Sequence, residues 1–361
     1  MASIREIARL AGVSPSAVSL AMRGTGRIAP ETRARILAVV KKAGYSINPL
    51  FSKALSLARQ SPASRYRETI ALILEYETET GPAYQKAMHT EAARCAAAMG
   101  YKLESFVVSG KPADHRRLSR ILKARGIRGV IIIPRLEHRQ PRLHLSWADF
   151  APVEIGRTLW NPRNLHHVET SDYHKVIEAL HLLKKAGYRR IGMAIEPMQN
   201  QHQRGTYYAA YLVSQLRQPE RARIPVLAST GPWSEATFRK WHDRYQPDVL
   251  FIHHAPEICG WLRAMKLKWP EDISLFCVNT SDPLLSGLMR DYPGLGRSAV
   301  EMLSLLLESG ELGLPVRPRS WLVDEYWHAG RSLARPIDNY LSEHGGLLPD
   351  ALPKLPHATP V

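Results

Sequence analysis

Apolar positions in the first forty residues recur at helical spacing, in short bursts. Ile4, Ile7, Ala8 and Ala11 share one face. Ser3 and Glu6 have the spacing of a capping box, which starts a helix at Ile4. Gly12 follows the last turn, where a left-handed residue ends a helix at little cost. Val13 is the apolar plug of that turn. Ser14 then caps a second helix with Pro15 at its first position, where a missing N–H loses nothing. Val18, Ala21 and Met22 face inward. The stretch "RGTGR" breaks the pattern. A third helix runs from Pro30 to about Ala43, with Thr32, Ile36, Val39 and Val40 inside and Gly44 as its stop. Three short helices with a tight glycine turn between the first two predict a helix-turn-helix headpiece. In that arrangement the second helix enters the major groove by its N-terminal end, here Pro15, Ser16, Ala17, Ser19 and Leu20. "GTGRIA" (24–29) imitates a dinucleotide fingerprint, but a helix precedes it where that motif needs a strand.

From Thr69 the period changes. "TIALILEY" is a strand, residues 84–99 an Ala-rich helix closed by Gly100, "YKLESFVV" a strand, "HRRLSRILKAR" a helix and "GVIIIP" a strand. "PVEIG" is another strand. "SDYHKVIEALHLLKKAGYRRIGMAI" gives helix and strand, and "TYYAAYLVSQLR", "IPVLAS", "EATFRKWHDRY", "DVLFIH", "ICGWLRAMKLK" and "SLFCVN" continue the rhythm. Strands alternating with helices predict parallel sheets covered by helices. The units are too many for one sheet, so two doubly wound lobes with a ligand cleft at their strand ends are expected.

The chain of 361 residues carries a net charge of +16. Residues 1–60 hold ten Lys/Arg against two Asp/Glu, a surplus of +8, and the other 301 residues hold the same surplus. Half of the excess charge therefore lies in a sixth of the chain, which points to a polyanion partner for the headpiece. No apolar run reaches the roughly 18 residues of a membrane span, and the start "MASIREIARLAG" has no secretory apolar stretch. A cytoplasmic location without membrane attachment is expected. Cys95, Cys259 and Cys277 are in no metal-like spacing and read as buried thiols of a reduced protein. His166-His167 and His253-His254 lack a third ligand at useful spacing, so no metal is expected.

"SIREIARLAGVSPSAVSLAMRGTGRIAPETRARILAVVKKAGYSINP" resembles the DNA-binding headpiece of the lac-repressor (LacI/GalR) family of bacterial transcription regulators. The residues that carry the likeness are the run I-x-x-I-A-x-x-A-G-V-S-x-x-x-V-S, the run E-T-R-x-R-I and the ending G-Y-x-x-N. "RGVIIIP", "APVEIGR", "LLKKAGYRRIGM", "PDVLFIHH" and "WPEDISLFCVNT" resemble the family's later landmarks, to about residue 335. The resemblance implies an all-α headpiece on an α/β core of two doubly wound, periplasmic-binding-protein-like lobes. It implies a headpiece over 1–46, a hinge over 47–66 and a core over 67–335. Lobe 1 would comprise about 67–163 and 294–316, lobe 2 about 164–293 and 317–335, with a Pro-rich tail over 336–361. The tail has five prolines and two adjacent glycines, so it is expected to wrap the core loosely or stay mobile, and it has no leucine heptad.

By the same resemblance, Pro15, Ser16 and Leu20 face bases and Ser19 lies near phosphate, Ser14, the cap of that helix, belongs to the same DNA-binding set, and Arg23 and Arg27 fall in the following loop. Asn48 and Leu50 match the hinge that inserts into the minor groove. The wedge position falls on Ala54, whose methyl is too short to part bases, so Leu55 is the expected wedge, with Lys53 beside it. Effector contacts fall on Tyr84, Gln85, Arg157, Arg204, His254, Asn279 and Trp327. His254-Ala255 and Asn279 stand where the family keeps Asn-Asp and Asp, so acceptors for sugar hydroxyls are lost. The implied function is a sequence-specific repressor. It would bind a palindromic double-stranded operator as a homodimer, under a small-molecule effector such as a carbohydrate or derivative, and with no cofactor. A solute-binding protein without regulatory function, or a doubly wound enzyme, is the alternative. The basic headpiece argues against the first, and the lack of a G-x-S-x-G, P-loop or metal signature against the second.

Overall fold

The computed structural model describes residues 4–22, 28–42, 68–78, 80–109, 111–133, 141–253, 256–280 and 282–337. Ser3, Gly44 and the tail beyond Ile337 lie outside them. The headpiece has α1 (Ile4–Ala11), α2 (Pro15–Met22) and α3 (Pro30–Lys42). Gly12 adopts φ 65°, which lets the Val13 N–H turn back to the Ala8 carbonyl at 2.9 Å. The Ala17 N–H donates to Ser14 Oγ at 3.2 Å, the expected cap. Ile7, Val18 and Ile36 are fully buried among Ala8, Ala11 and Ala21, and Val13, Ile28, Val39 and Val40 pack around them.

The first lobe is built on one parallel six-stranded sheet. Its strands are β1 (Glu68–Leu74), β2 (Tyr101–Val107), β3 (Gly129–Ile132), β4 (Ala151–Ile155), β5 (His166–Thr170) and the late β10 (Ser320–Val323), in the order β10-β5-β4-β3-β1-β2. The second sheet holds β6 (Ile191–Ala194), β7 (Val249–His253), β8 (Ser274–Val278), β9 (Gly287–Met289) and β11 (Tyr326–His328), in the order β11-β9-β8-β7-β6, with β11 antiparallel to β9. Both faces of each sheet are covered, so the strands read as apolar runs. In β1, Ile70, Leu72 and Leu74 turn to the face covered by α4 (Ala83–Ala98) and by α11 (Tyr292–Ser309). Ala71 and Ile73 turn to the face covered by α5 (Pro112–Ala124). Gly296 lets α11 approach α4 closely: a Cβ there would lie 2.3 Å from the Met88 carbonyl oxygen. In the second lobe α6 (Asp172–Lys185) and α8 (Thr206–Leu216) cover one face, and α9 (Glu235–Tyr245) and α10 (Pro256–Ala264) the other. The short α7 (Pro197–His202) precedes α8.

Three links join the lobes: Thr170 to Asp172, Met289 to Tyr292, and Val323 to Tyr326. Two of them differ from the sequence expectation of changes at 164 and 317. β5 and β10 pair in parallel, Val168 opposite Trp321, and complete the edge of the first sheet, so the chain stays in lobe 1 through both strands. "IPVLAS" is not a strand; Leu227–Ser229 forms a 3-10 turn whose Leu227 is buried against α9 and α10. Packing also runs past residue 335, because Ile337 is buried in the second core. No helix among the described residues is long and apolar enough to cross a membrane.

Candidate DNA-binding helix and interlobe cleft

α2 is held by its inner side, Val18 and Ala21, and this turns Leu20 outward to 38% exposure. Pro15, Ser16 and Ser19 lie along the same helix, which carries no acidic residue in its first turn. Its N-terminal end thus presents N–H groups uncompensated by a carboxylate, an arrangement that suits a phosphate. Arg23, Arg27 and the hinge residues Asn48, Leu50, Lys53, Ala54 and Leu55 lie outside the described residues.

At the strand ends the two lobes meet through aromatic rings and amides. Tyr84, early in α4, sets its ring 5.8 Å from that of Tyr292 at the start of α11. The Tyr292 hydroxyl donates to Asn279 Oδ1 across the lobes at 2.7 Å. Asn279 ends β8 with φ 58°, and its Nδ2 lies 3.4 Å from His253 Nε2. Tyr207 stands 5.9 Å, ring to ring, from His253. His254 lies outside the described residues.

Arg204, between α7 and α8, reaches back to the first lobe. Its Nε donates to the Arg157 carbonyl at 2.7 Å and its Nη2 to the Leu159 carbonyl at 2.8 Å. The Arg157 guanidinium is itself 3.8 Å from Glu169. Beneath this clasp Glu154 is buried, and its Oε1 accepts the Leu159 N–H at 2.8 Å. Burial pushes the Glu154 carboxyl up to about 7 against the pull of that N–H, His167 and Arg204.

Two expected effector contacts point elsewhere. Gln85 is buried, donating to the Tyr76 carbonyl at 2.9 Å and accepting the Tyr76 N–H at 3.3 Å. Its amide is taken up in fixing the end of β1. Trp327 is 5% exposed and packs edge-on to Phe276 at 6.2 Å, inside the second core rather than at the cleft.

A buried ion cluster escaped the sequence reading. Arg290, on the link from β9 to α11, donates through Nη2 to Asp172 Oδ1 at 2.8 Å and to the Tyr207 hydroxyl at 2.9 Å. Its Nε meets Glu325 Oε1 at 3.1 Å. Gln203, with its amide turned so that Nε2 faces Asp172 Oδ2 at 2.7 Å, accepts from Arg290 Nη1 at 3.2 Å. Asp172 and Glu325 are 7% and 6% exposed. Burial raises the Glu325 carboxyl, and the Arg290 charge opposes that rise. Asp172, Arg290 and Glu325 come one from each interlobe link, so a single guanidinium ties all three together. The only sign in the sequence is an arginine next to the apolar "GLM" (287–289) and a glutamate inside "WLVDEYW". Nothing there pairs them across 118 and 35 residues.

A helix-turn-helix beside a two-lobed α/β core is the build of a DNA-binding transcriptional regulator with a sensor attached. Residues 3–48 match the model for bacterial regulatory proteins of the lacI family, and residues 180–321 that for the periplasmic binding protein-like domain. The HTH-type transcriptional regulator CelR of Thermobifida fusca is 25% identical over 343 residues, 87% of this chain and 94% of CelR. The regulator AglR of Rhizobium meliloti (strain 1021) is 25% identical over 201 residues, 54% of this chain and 52% of AglR. Among solved structures, the CelR–cellobiose complex shares the fold with a TM-score of 0.52 at 18% identity, covering 92% of this chain and 100% of that one. The lac repressor dimer bound to operator and the anti-inducer ONPF gives 0.51 at 17% identity, covering 92% and 99%. The chain thus resembles DNA-binding transcriptional regulators of the lacI family, in its headpiece by the family model and over most of its length by CelR. Among the described residues no group of three or more His, Cys, Asp or Glu is placed to hold a metal ion.

Proposed function

We propose that this regulator acts in the cytoplasm as a homodimeric repressor of a palindromic operator, released or strengthened by a small molecule in the interlobe cleft. The observation that carries the reading is α2: anchored by Val18 and Ala21, it leaves Leu20 exposed and has no acidic residue in its first turn. Pro15, Ser16 and Leu20 face bases in this reading, by apolar contact with thymine methyls and single hydroxyl bonds. Ser14, Ser19, Arg23 and Arg27 position the helix on phosphates, and a second subunit multiplies affinity. In the hinge, Asn48, Leu50 and Lys53 flank the minor groove and Leu55, rather than Ala54, enters it. If about 6–10 phosphates are neutralised per dimer, operator affinity falls about 10³–10⁵-fold between 50 and 200 mM salt. A titration on operator DNA mapped from the genome tests this, and a flat salt response overturns it. Leu55→Ala reduces DNA bending in a gel assay; unchanged bending removes Leu55 as the wedge.

The effector is a carbohydrate or derivative larger than, or chemically different from, a simple neutral monosaccharide. Tyr84 and Tyr292 supply ring faces, and Arg204, Asn279, His253 and His254 supply polar groups, with Arg157 at the rim. Gln85 and Trp327 fall out of this set because both are buried in other contacts. Aromatic faces and amides suit a sugar body, while Asn279 in place of an acid weakens the grip on single hydroxyls. CelR, a relative solved with cellobiose, makes that disaccharide the first probe. Calorimetry should show cellobiose or a related oligosaccharide binding in preference to hexoses and pentoses. Low-micromolar hexose binding that is lost in Asn279→Ala overturns the reading.

A further inference from the structure

One cavity lies away from the contacts between the lobes, on the flank of the first lobe. It measures about 800 Å³ and is walled by α5, residues 143–147, Asn161, Pro162 and Leu314. That volume is in the range of small-molecule sites. Arg116, Arg120 and Lys123 line it from one face of α5, at spacings of four and three residues, and no carboxylate is among its lining residues. Trp147 and Leu314, both partly exposed, add apolar surface to its lining.

Several other arginines of the lobe are paired with carboxylates. Arg125 holds Glu104, Arg128 holds Glu68, Arg94 and Arg297 share Glu91, and Arg319 holds Glu311. Lys123 meets Asp149 at 2.9 Å. Arg116 and Arg120 have no carboxylate partner among the described residues. Like charges four apart on a helix repel, and an anion between them would relieve that repulsion. A pair of guanidinium forks one turn apart also matches the several oxygens of a phosphate.

The walls are fixed rather than formed by loose loops. The Ser146 N–H donates to Ser119 Oγ at 3.0 Å, and the Leu143 N–H to the Asn161 carbonyl at 2.9 Å. His115 is fully buried: its Nε2 donates to the Ser109 carbonyl at 2.8 Å, and its Nδ1 accepts the His144 N–H at 3.3 Å. The segment carrying Leu143 and Trp147 is thus pinned to α5 on one side and to Asn161 on the other. A ligand would meet a preformed surface, which lowers the ordering cost of binding.

We propose that this cavity is a second ligand site, distinct from the cleft, for a small phosphate ester. Arg116 and Arg120 hold the phosphate, and Trp147 and Leu314 lie against the organic body. The probe is phenyl phosphate, compared with inorganic phosphate and with phenol, in calorimetry on the full-length protein. Phenyl phosphate should bind at one site per chain, at least about tenfold more tightly than either half alone, since both walls then contribute. Arg116→Gln with Arg120→Gln should weaken it by about tenfold or more. Because both side chains are exposed, the thermal melt of that variant should match the wild type. Binding should also shift the fluorescence of Trp147, and Trp147→Phe should remove that shift. Arg204→Gln, in the cleft, should leave phenyl phosphate affinity unchanged. No saturable binding, affinity equal to that of inorganic phosphate, or affinity unaltered in the double variant each overturns the proposal.

Discussion

The headpiece and the junction of the two lobes are stabilised by opposite means. The headpiece relies on a handful of small apolar side chains, Ile7, Val18 and Ile36 among alanines, and a glycine turn. Its contacts are short in sequence and non-directional. The junction relies on polar groups that must meet in one geometry: Arg290 with the buried Asp172, Glu325 and Tyr207, the exposed Arg204 with two carbonyls, and the half-buried Tyr292 with Asn279. A small apolar core yields gradually to substitution. A buried ion cluster holds only while every partner is present, because an unpaired buried charge costs more than the pair contributes. Such a junction suits a sensor, whose lobes must hold one arrangement against another rather than simply stay together.

Breaking the junction should give the largest effect. Arg290→Met leaves Asp172 and Glu325 buried without their cation and should cost about 3–5 kcal/mol in urea unfolding of the core. Arg290→Lys keeps the charge but not the fork and should fall between. A loss below about 1 kcal/mol, the scale of an exposed pair, would show that the three links do not depend on Arg290.

In the headpiece, Ile36→Ala should cost about 2–5 kcal/mol, confined to that unit. Hydrogen exchange should speed up in α1 to α3 and operator binding should fall, while the melting of the lobes stays in place. A shift in the lobes' melting would end the contrast between a self-contained headpiece and a linked core.

Glu154 sharpens the comparison through pH. Its folded carboxyl, at about 7, lies above its ordinary 4.5. Between those values the folded chain holds a proton that the unfolded chain has lost, so stability falls as pH rises through this window and then levels off. Glu154→Gln should remove this slope and gain about 1–3 kcal/mol at pH 8 relative to wild type, with less gain near pH 5. Urea curves at both pH values measure it, and an equal gain at both would place the cause elsewhere.

The smallest change expected is at the headpiece turn. Gly12→Ala meets no atom within 4 Å, so only its left-handed backbone resists. It should cost about 1–2 kcal/mol, read as a lower headpiece melting point.

Much of the architecture was legible along the chain because it is written in local periodicity. Helical spacing gave α1, α2 and α3 nearly to the residue, and Gly12 and Ser14 marked the turn and the cap. Apolar runs gave β1, β3, β4, β7 and β8. The strands that were missed or misplaced were short or late ones: β5, with its two histidines, and β10, with alternating exposure, carry weak apolar signals. Their membership of the first sheet follows from pairing with each other across about 150 residues. Gln85 and Trp327 looked like cleft residues by position along the chain, and neighbouring backbone and rings claimed them instead.

By itself, then, the sequence determined the basic headpiece with its reading helix and the alternation that yields two covered parallel sheets, since both depend on residues a few positions apart. The tertiary structure alone decided where the chain changes lobes, which carboxylates Arg290 holds, and what Arg204 and Asn279 touch. Those depend on partners far apart in the chain, which meet only once the lobes have formed, where burial makes each pairing obligatory.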